Sequence, residues 1–224
     1  MRYLSFRRSV PVFVALVCVL CAGEVMTQAV NKSAKSQLPA GNAIAGGSEE
    51  EIMAIRKLTG LGKQGKVKTP QYRTNVAGGT KPEREWVQIT VTYDTTPDWI
   101  DELTFQYHVL ALTTTKEGKK SYSLFRDTVR YVDIERGRGH ESAMFLRPNA
   151  VKRFGELIAV AVEISHGGKV VAEKSDHPKN IPEGWWKRPE VVENEMVTIR
   201  NGYLLNRSQS PFAFINMDDY ESIK

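Results

Sequence analysis

Four histidines are the first candidates for chemistry, because histidine is the side chain that most often transfers protons near neutral pH. They lie in separate parts of the chain, at His108, His140, His166 and His177. His108 falls on the polar phase of a predicted strand, His140 and His166 lie beside glycines, and His177 precedes a proline. The chain contains no H-E-x-x-H, G-x-S-x-G or phosphate-binding glycine motif. We therefore predict no catalytic residue, no cofactor and no enzymatic activity.

An acidic cluster surrounds one predicted turn. It consists of Asp94, Asp98, Asp101 and Glu102. Carboxylate oxygens are ligands that Ca²⁺ prefers. The spacing of these residues matches no standard calcium-binding loop, and aspartate in a turn usually accepts hydrogen bonds from the backbone. We therefore predict no metal site.

An aromatic and basic group has the composition of a binding surface. Trp185 and Trp186 are followed directly by Lys187 and Arg188. Tryptophan and arginine are enriched where proteins bind partners. We predict that these four residues form an interaction surface, on which a sugar ring stacks or a protein packs. The alternative is that one tryptophan packs on a sheet and fastens the C-terminal part of the chain.

The charge of the chain argues against nucleic acid as a partner. The sequence has 31 basic and 26 acidic residues, a formal net charge of +5 and a pI of about 9.1. Without the three arginines and the one glutamate of residues 1–29, 28 basic and 25 acidic residues are left, a net charge of +3. Nucleic-acid binding requires a denser basic surface. Arg136 and Arg138, each followed by glycine, form either an anion-attracting loop or a solvated turn.

The N-terminus predicts export. Three arginines precede an apolar run over residues 10–22, the pattern of a secretory signal peptide. The run is too short to cross a bilayer, which needs about 20 apolar residues. Cleavage can follow Gly23 or Ala29, and we favour Ala29, which gives a signal peptide over residues 1–29. The protein would then meet the membrane only during export and would be periplasmic, outer-membrane-associated or extracellular.

Both cysteines, Cys18 and Cys21, lie within the predicted signal peptide. The mature protein would therefore contain no disulfide, reactive thiol or zinc site. Residues 30–47 are small, polar and rich in glycine, which predicts a flexible linker.

Residues 48–62 predict a short amphipathic helix. Ser48 and Glu51 have the spacing of a capping box at its start. Apolar residues then recur every three positions, at Ile52, Ile55, Leu58 and Leu61. This spacing gives a narrow apolar stripe, which we expect to dock on the main domain.

From residue 66 to residue 175 the apolar residues alternate with polar ones, which is typical of half-buried strands. We predict seven strands, with turns at residues 94–98 and 136–139 among others. Seven short antiparallel strands predict an all-β, immunoglobulin-like sandwich, and an OB-like barrel is the alternative. The predicted core includes Val87, Ile89, Val91, Phe105, Val109, Val160 and Val162. Residues 176–224 form a C-terminal extension, with a hairpin at Asn201-Gly202 and a tail packed on the body as far as Phe214.

Two segments carry a resemblance to a known group of proteins. They are Trp86-Val87-Gln88-Ile89-Thr90-Val91 and the tail from Arg207 to Phe214. With the order of elements over residues 48–216, they resemble small exported immunoglobulin-like proteins associated with bacterial type IV pilus-like gene clusters. The resemblance implies an extracytoplasmic fold and protein partners in a cell-envelope or pilus-like assembly. Because the apolar run precedes the cleavage point, it implies an accessory protein and not the main fibre subunit.

These observations predict a non-enzymatic exported interaction or structural protein, an accessory of a pilus-like or cell-surface assembly. The alternative is a carbohydrate-binding module of a secreted system, with glycans as partners and Trp185 and Trp186 as the stacking platform.

Overall fold

The computed structural model describes residues 51–71 and 82–215 and the backbone of residues 222–223, all within the unit Gly47–Lys224. The predicted signal peptide and linker lie outside the described residues. Among the described helices, none is long and apolar enough to cross a membrane. The strands are β1 (Met53–Thr59), β2 (Lys66–Lys68), β3 (Glu85–Thr114), β4 (Lys120–Leu146), β5 (Glu156–His166), β6 (Lys169–Asp176), β7 (Val197–Asn201), β8 (Leu204–Asn206) and β9 (Ser222–Ile223). The helices are α1 (Pro148–Phe154) and α2 (Pro189–Val192), and 3₁₀ turns lie at Gly62–Gly65, Trp185–Lys187 and Arg207–Gln209.

Strands β3 and β4 form one long bent hairpin that runs through the whole fold. They pair antiparallel from Val87 opposite Leu146 to Thr114 opposite Lys120, with register shifts between Tyr93 and Trp99. The predicted turns at 94–98 and 136–139 are therefore wrong, since both segments lie inside these strands and face each other.

Side chains explain why the strands bend at this point without ending. The Gly139 N–H donates to the Asp94 carboxylate, and the Gly137 N–H donates to the Thr95 hydroxyl, each at 2.9 Å. The Thr95 hydroxyl donates in turn to the Glu135 carbonyl at 2.9 Å. These bonds satisfy backbone groups that the irregular register leaves unpaired.

The bend divides the sheet into two halves that enclose the core. The main strand order is β6-β5-β3-β4-β7, while β1 and β2 pair with β3, and β8 and β9 pair with β4. All pairs are antiparallel except that of β4 with β7. Tyr93 of the first half packs against Phe105 of the second, with ring centroids 5.1 Å apart. The predicted all-β, immunoglobulin-like antiparallel sandwich is confirmed, and the path through the described strands is open, unlike an OB-like barrel.

The core follows the alternation of the sequence. The apolar residues that the alternation assigned to the interior are each at most 8% exposed. They are Val87, Ile89, Val91, Phe105, Val109, Val160 and Val162. Period-two burial therefore holds in the first half of β3. In contrast, consecutive residues are buried at 107–111 of β3 and 159–162 of β5, where both faces of the sheet are covered.

The predicted N-terminal helix over residues 48–62 is wrong, because Met53–Thr59 form strand β1 along the edge of β3. A bulge explains the misleading pattern. The register shifts between Ile55 and Lys57, so that one extra residue changes which face later side chains occupy. Met53 and Leu58, five residues apart, are consequently both buried in the core. Apolar residues that alternate along a strand, with one extra residue at the bulge, therefore have a spacing that resembles that of a helix.

The C-terminal extension crosses from one half to the other. Gly202 turns the chain with a positive φ of 74°, but β7 and β8 do not form the predicted hairpin. Instead, β7 pairs with the start of β4 and β8 pairs with its end. The extension thus covers two separate stretches of the edge of β4 that lies opposite β3.

The tail is fastened at Phe212, which is buried and stacks on Phe145 with ring centroids 4.6 Å apart and an interplanar angle of 7°. Trp86 packs edge-on against the Phe212 ring, with ring centroids 5.8 Å apart. Phe214 is 72% exposed. The tail is therefore buried as far as Phe212, and not as far as Phe214 as predicted.

Candidate functional site

Trp185 and Trp186 lie in the interior and not on the surface. Their side chains are 0% and 4% exposed, and they pack on the outer face of the second half of the sheet. Ala159 and Ala161 of β5 lie beneath them in the same cluster, and the small alanine side chains leave room for the indole rings. The two tryptophans thus fasten the C-terminal extension to the sheet. The prediction that they form part of an exposed interaction surface is therefore wrong for these two residues.

Beneath Trp186 lies a histidine that the sequence placed on a polar face. His108 is 4% exposed, and its ring centroid is 6.4 Å from that of Trp186. Its Nε2 lies 3.3 Å from a Glu163 carboxylate oxygen. Burial first, and then the charge of Arg126, lower the pKa of His108 to about 4. His108 is therefore neutral at pH 7.

Lys187 is exposed but is engaged by two carboxylates. Its Nζ lies 2.7 Å from a Glu163 oxygen and 2.5 Å from a Glu173 oxygen. These hydrogen bonds raise the pKa of Lys187. Arg188 is exposed, and its Nε donates to the Glu183 carbonyl at 2.8 Å. Of the four predicted surface residues, only these two are exposed, and each has a partner within the chain.

A groove beside the buried tryptophans is the feature that the sequence did not reveal. It has a volume of about 360 Å³ and lies between the extension and the outer face of the sheet. Its walls are mostly apolar and include Leu110, Tyr122, Ile158, Ile181, Val191 and Met196. We call it the C-terminal groove. The lining residues come from β3, β4, β5 and the extension, so no local motif could have predicted it.

The acidic cluster does not converge on a common point. Asp94 pairs with Arg56 at 2.7 Å, and Asp98 pairs with Arg136 at 3.2 Å. The Gly139 N–H first, and then Arg56, lower the pKa of Asp94. Within the described residues, no group of three or more histidine, cysteine, aspartate or glutamate side chains could hold a metal ion.

The other acidic, basic and histidine side chains also have separate surroundings. Glu102 pairs with Arg130 at 3.3 Å. Arg136 and Arg138 line a cavity of about 520 Å³ together with Arg56 and Asp94. The remaining histidines each contact a different group, as His140 contacts the Thr95 hydroxyl at 3.1 Å, His166 the Glu102 carbonyl at 2.9 Å, and His177 the Glu183 carboxylate at 3.5 Å. The structure does not bring the four histidines together.

Comparison with known proteins adds a family and a fold. A protein-family model matches residues 62–224, which is more than half of the chain. The chain belongs to this family. None of the curated proteins matches the sequence. A crystal structure of a protein from Akkermansia muciniphila is similar, with a TM-score of 0.62 and 20% identity over 77% of this chain and 93% of that one. At this identity the likeness shows a shared fold.

Proposed function

We propose that this chain is a non-enzymatic exported interaction or structural protein and an accessory of a pilus-like or cell-surface assembly. The observation that carries the proposal is the C-terminal groove, a mostly apolar concavity on a sheet whose core is well buried. Concave apolar surfaces with few polar groups are typical of binding sites. The signal-peptide pattern of residues 1–29 supports the exported part of this function.

Carbohydrate binding, the alternative, depended on Trp185 and Trp186 as exposed rings. Both rings are buried, so this function has lost the residues on which it was based. Among the described aromatic residues, Trp99 and Phe214 are 62% and 72% exposed, but neither belongs to the adjacent pair on which this function was based.

Site-specific crosslinking in the cells that produce the protein tests the proposal. A photoreactive benzoylphenylalanine replaces Met196 in the groove, and the same residue at Val170 of β6 serves as the matched control. The two native side chains are comparably exposed, at 51% and 47%. We expect a crosslink to a cell-envelope component from position 196 and none from position 170, in a protein that begins near residue 24 or 30. A cytoplasmic chain that begins at Met1, or identical crosslinks from both positions, would contradict the proposal.

A further inference from the structure

Strand β7 presents a backbone edge beside the C-terminal groove. It ends the main strand order of the sheet, and no other described strand pairs with its outer side. The Tyr122 N–H donates to the Met196 carbonyl at 2.9 Å. Because backbone groups in a parallel pair alternate in direction, this bond leaves the N–H and C=O of Ile199 directed away from β4. The edge is therefore able to extend the sheet by one strand.

The strand at the opposite end of the sheet is protected, and β7 is not. Strand β6 carries four charged side chains, at Lys169, Glu173, Lys174 and Asp176, and charges on an edge strand prevent further pairing. Strand β7 has one, Arg200. Its guanidinium lies 4.2 Å from the centroid of the Phe154 ring, and its Nε donates to the Ser123 hydroxyl at 3.1 Å. Arg200 is thus directed into the fold, while Ile199 is 44% exposed.

The edge and the groove form one continuous surface. Val197, the first residue of β7, lines the groove together with Met196, which directly precedes the strand and is 51% exposed. The volume of about 360 Å³ lies near the lower end of the roughly 300–1,000 Å³ of ligand pockets. The groove lining includes one cation, Lys120, and one anion, Glu190. This balance favours an uncharged occupant.

We propose that the outer edge of β7 and the C-terminal groove bind an extended, uncharged segment of a partner protein. The segment would pair with β7 as an added strand and insert an apolar side chain into the groove, a known mode of peptide recognition. The proposal rests on the proposed function as an interaction protein and names the chemistry of its partner.

A second copy of this chain fits the surface less well. Strand β7 has five residues, which span about 17 Å at roughly 3.3 Å per residue. Two such edges paired with each other would bury far less than the roughly 1,200 Å² of a stable interface. A partner segment, in contrast, can use both the edge and the groove.

Peptide selection on the purified chain tests the proposal. The probe is a displayed library of random ten-residue peptides, and enriched sequences are then synthesised with a fluorescent label for anisotropy measurements. We expect peptides that alternate apolar and uncharged polar residues. Ile199→Lys, which adds a charge to the edge, and Ile199→Pro, which removes its outward N–H, should each weaken binding at least tenfold. Val170→Lys on β6 is the matched control and should leave the affinity unchanged.

Thermal unfolding distinguishes lost binding from lost folding. A variant whose melting temperature is close to that of the unaltered chain is folded, so its weaker binding reports on the surface itself. Met196→Lys provides a second, independent test at the groove. Enrichment of no peptide, selection of peptides with a charged anchor, or equal binding by the Ile199 variants would overturn the proposal. Dimers that Ile199→Lys disrupts would also overturn it, in favour of a second copy. Peptide binding by the purified chain requires neither export nor assembly. It can therefore succeed when the crosslinking experiment fails, and crosslinking can succeed when no peptide binds, so the two proposals are tested separately.

Discussion

Acid should destabilise this protein through His108, and the size of the effect follows from the burial of its ring. The pKa of His108 is about 4 in the folded chain, against an ordinary value of 6.5. Between these values the unfolded chain binds a proton that the folded chain does not. The stabilisation is therefore complete above pH 6.5 and is lost as the pH falls toward 4.

The magnitude can be worked from this difference. One unit of pKa corresponds to about 1.4 kcal/mol, so a shift from 6.5 to about 4 costs about 3 kcal/mol once the pH is below both values. At pH 5 the loss is about 2 kcal/mol relative to pH 7. This is a large part of the roughly 5–15 kcal/mol that stabilises most domains.

Urea unfolding at pH 7, 6 and 5, followed by tryptophan fluorescence, measures the effect. His108→Gln keeps a polar side chain but cannot titrate. Because carboxylates also contribute to acid sensitivity, the informative quantity is the difference between the two proteins. We expect the unaltered chain to lose about 2 kcal/mol more than His108→Gln between pH 7 and pH 5. His166→Gln, at an exposed position, should match the unaltered chain. Identical pH dependence in all three proteins would refute the argument.

Three further tests of the packing use five substitutions, each measured by urea unfolding. Gly155 has a φ of 89° and its Cβ would overlap a backbone carbonyl of β3, whereas Gly118 has a φ of 80° and open space. Gly155→Ala should therefore destabilise by about 2 kcal/mol more than Gly118→Ala, and equal losses would contradict the overlap. Phe212→Ala should cost about 3–5 kcal/mol and Phe214→Ala about 0.5 kcal/mol or less, so comparable values would contradict the tail packing. Ser142→Ala removes a hydroxyl that bonds two buried tyrosines and should cost about 1–3 kcal/mol, whereas an unchanged stability would show that these bonds contribute nothing.

The sequence predicted the core well because strand alternation is a local property. In β3, Val87, Ile89 and Val91 have the spacing of one buried face, and each is buried in the structure. A bulge breaks this correspondence. The extra residue of β1 changed the phase of its pattern and led to the prediction of a helix over residues 48–62.

The turns at 94–98 and 136–139 failed for a related reason. Aspartate, threonine and glycine favour turns, but Asp94 and Thr95 use their side chains to accept the N–H groups of the opposite strand. Residue types that usually end strands thus allow β3 and β4 to bend together in this protein. Local preference does not reveal which outcome occurs, because it depends on the partner strand.

The candidate site was predicted least well, because it depends on contacts between distant segments. The polar phase of β3 shows that one face is polar, but not that residues 180–197 will cover it. Two signals pointed to this contact. Ala159 and Ala161 are small and leave room for a large neighbour, and the alternative interpretation of Trp185 and Trp186 packed one of them on a sheet.

The extension that covers this face also forms a wall of the C-terminal groove. Trp186 lies over His108, and Ile181 and Val191 line the groove from either side of it in the chain. The segment that buries His108 therefore also shapes the proposed binding surface. Acid stability and partner binding consequently depend on one structural element, although their residues are different.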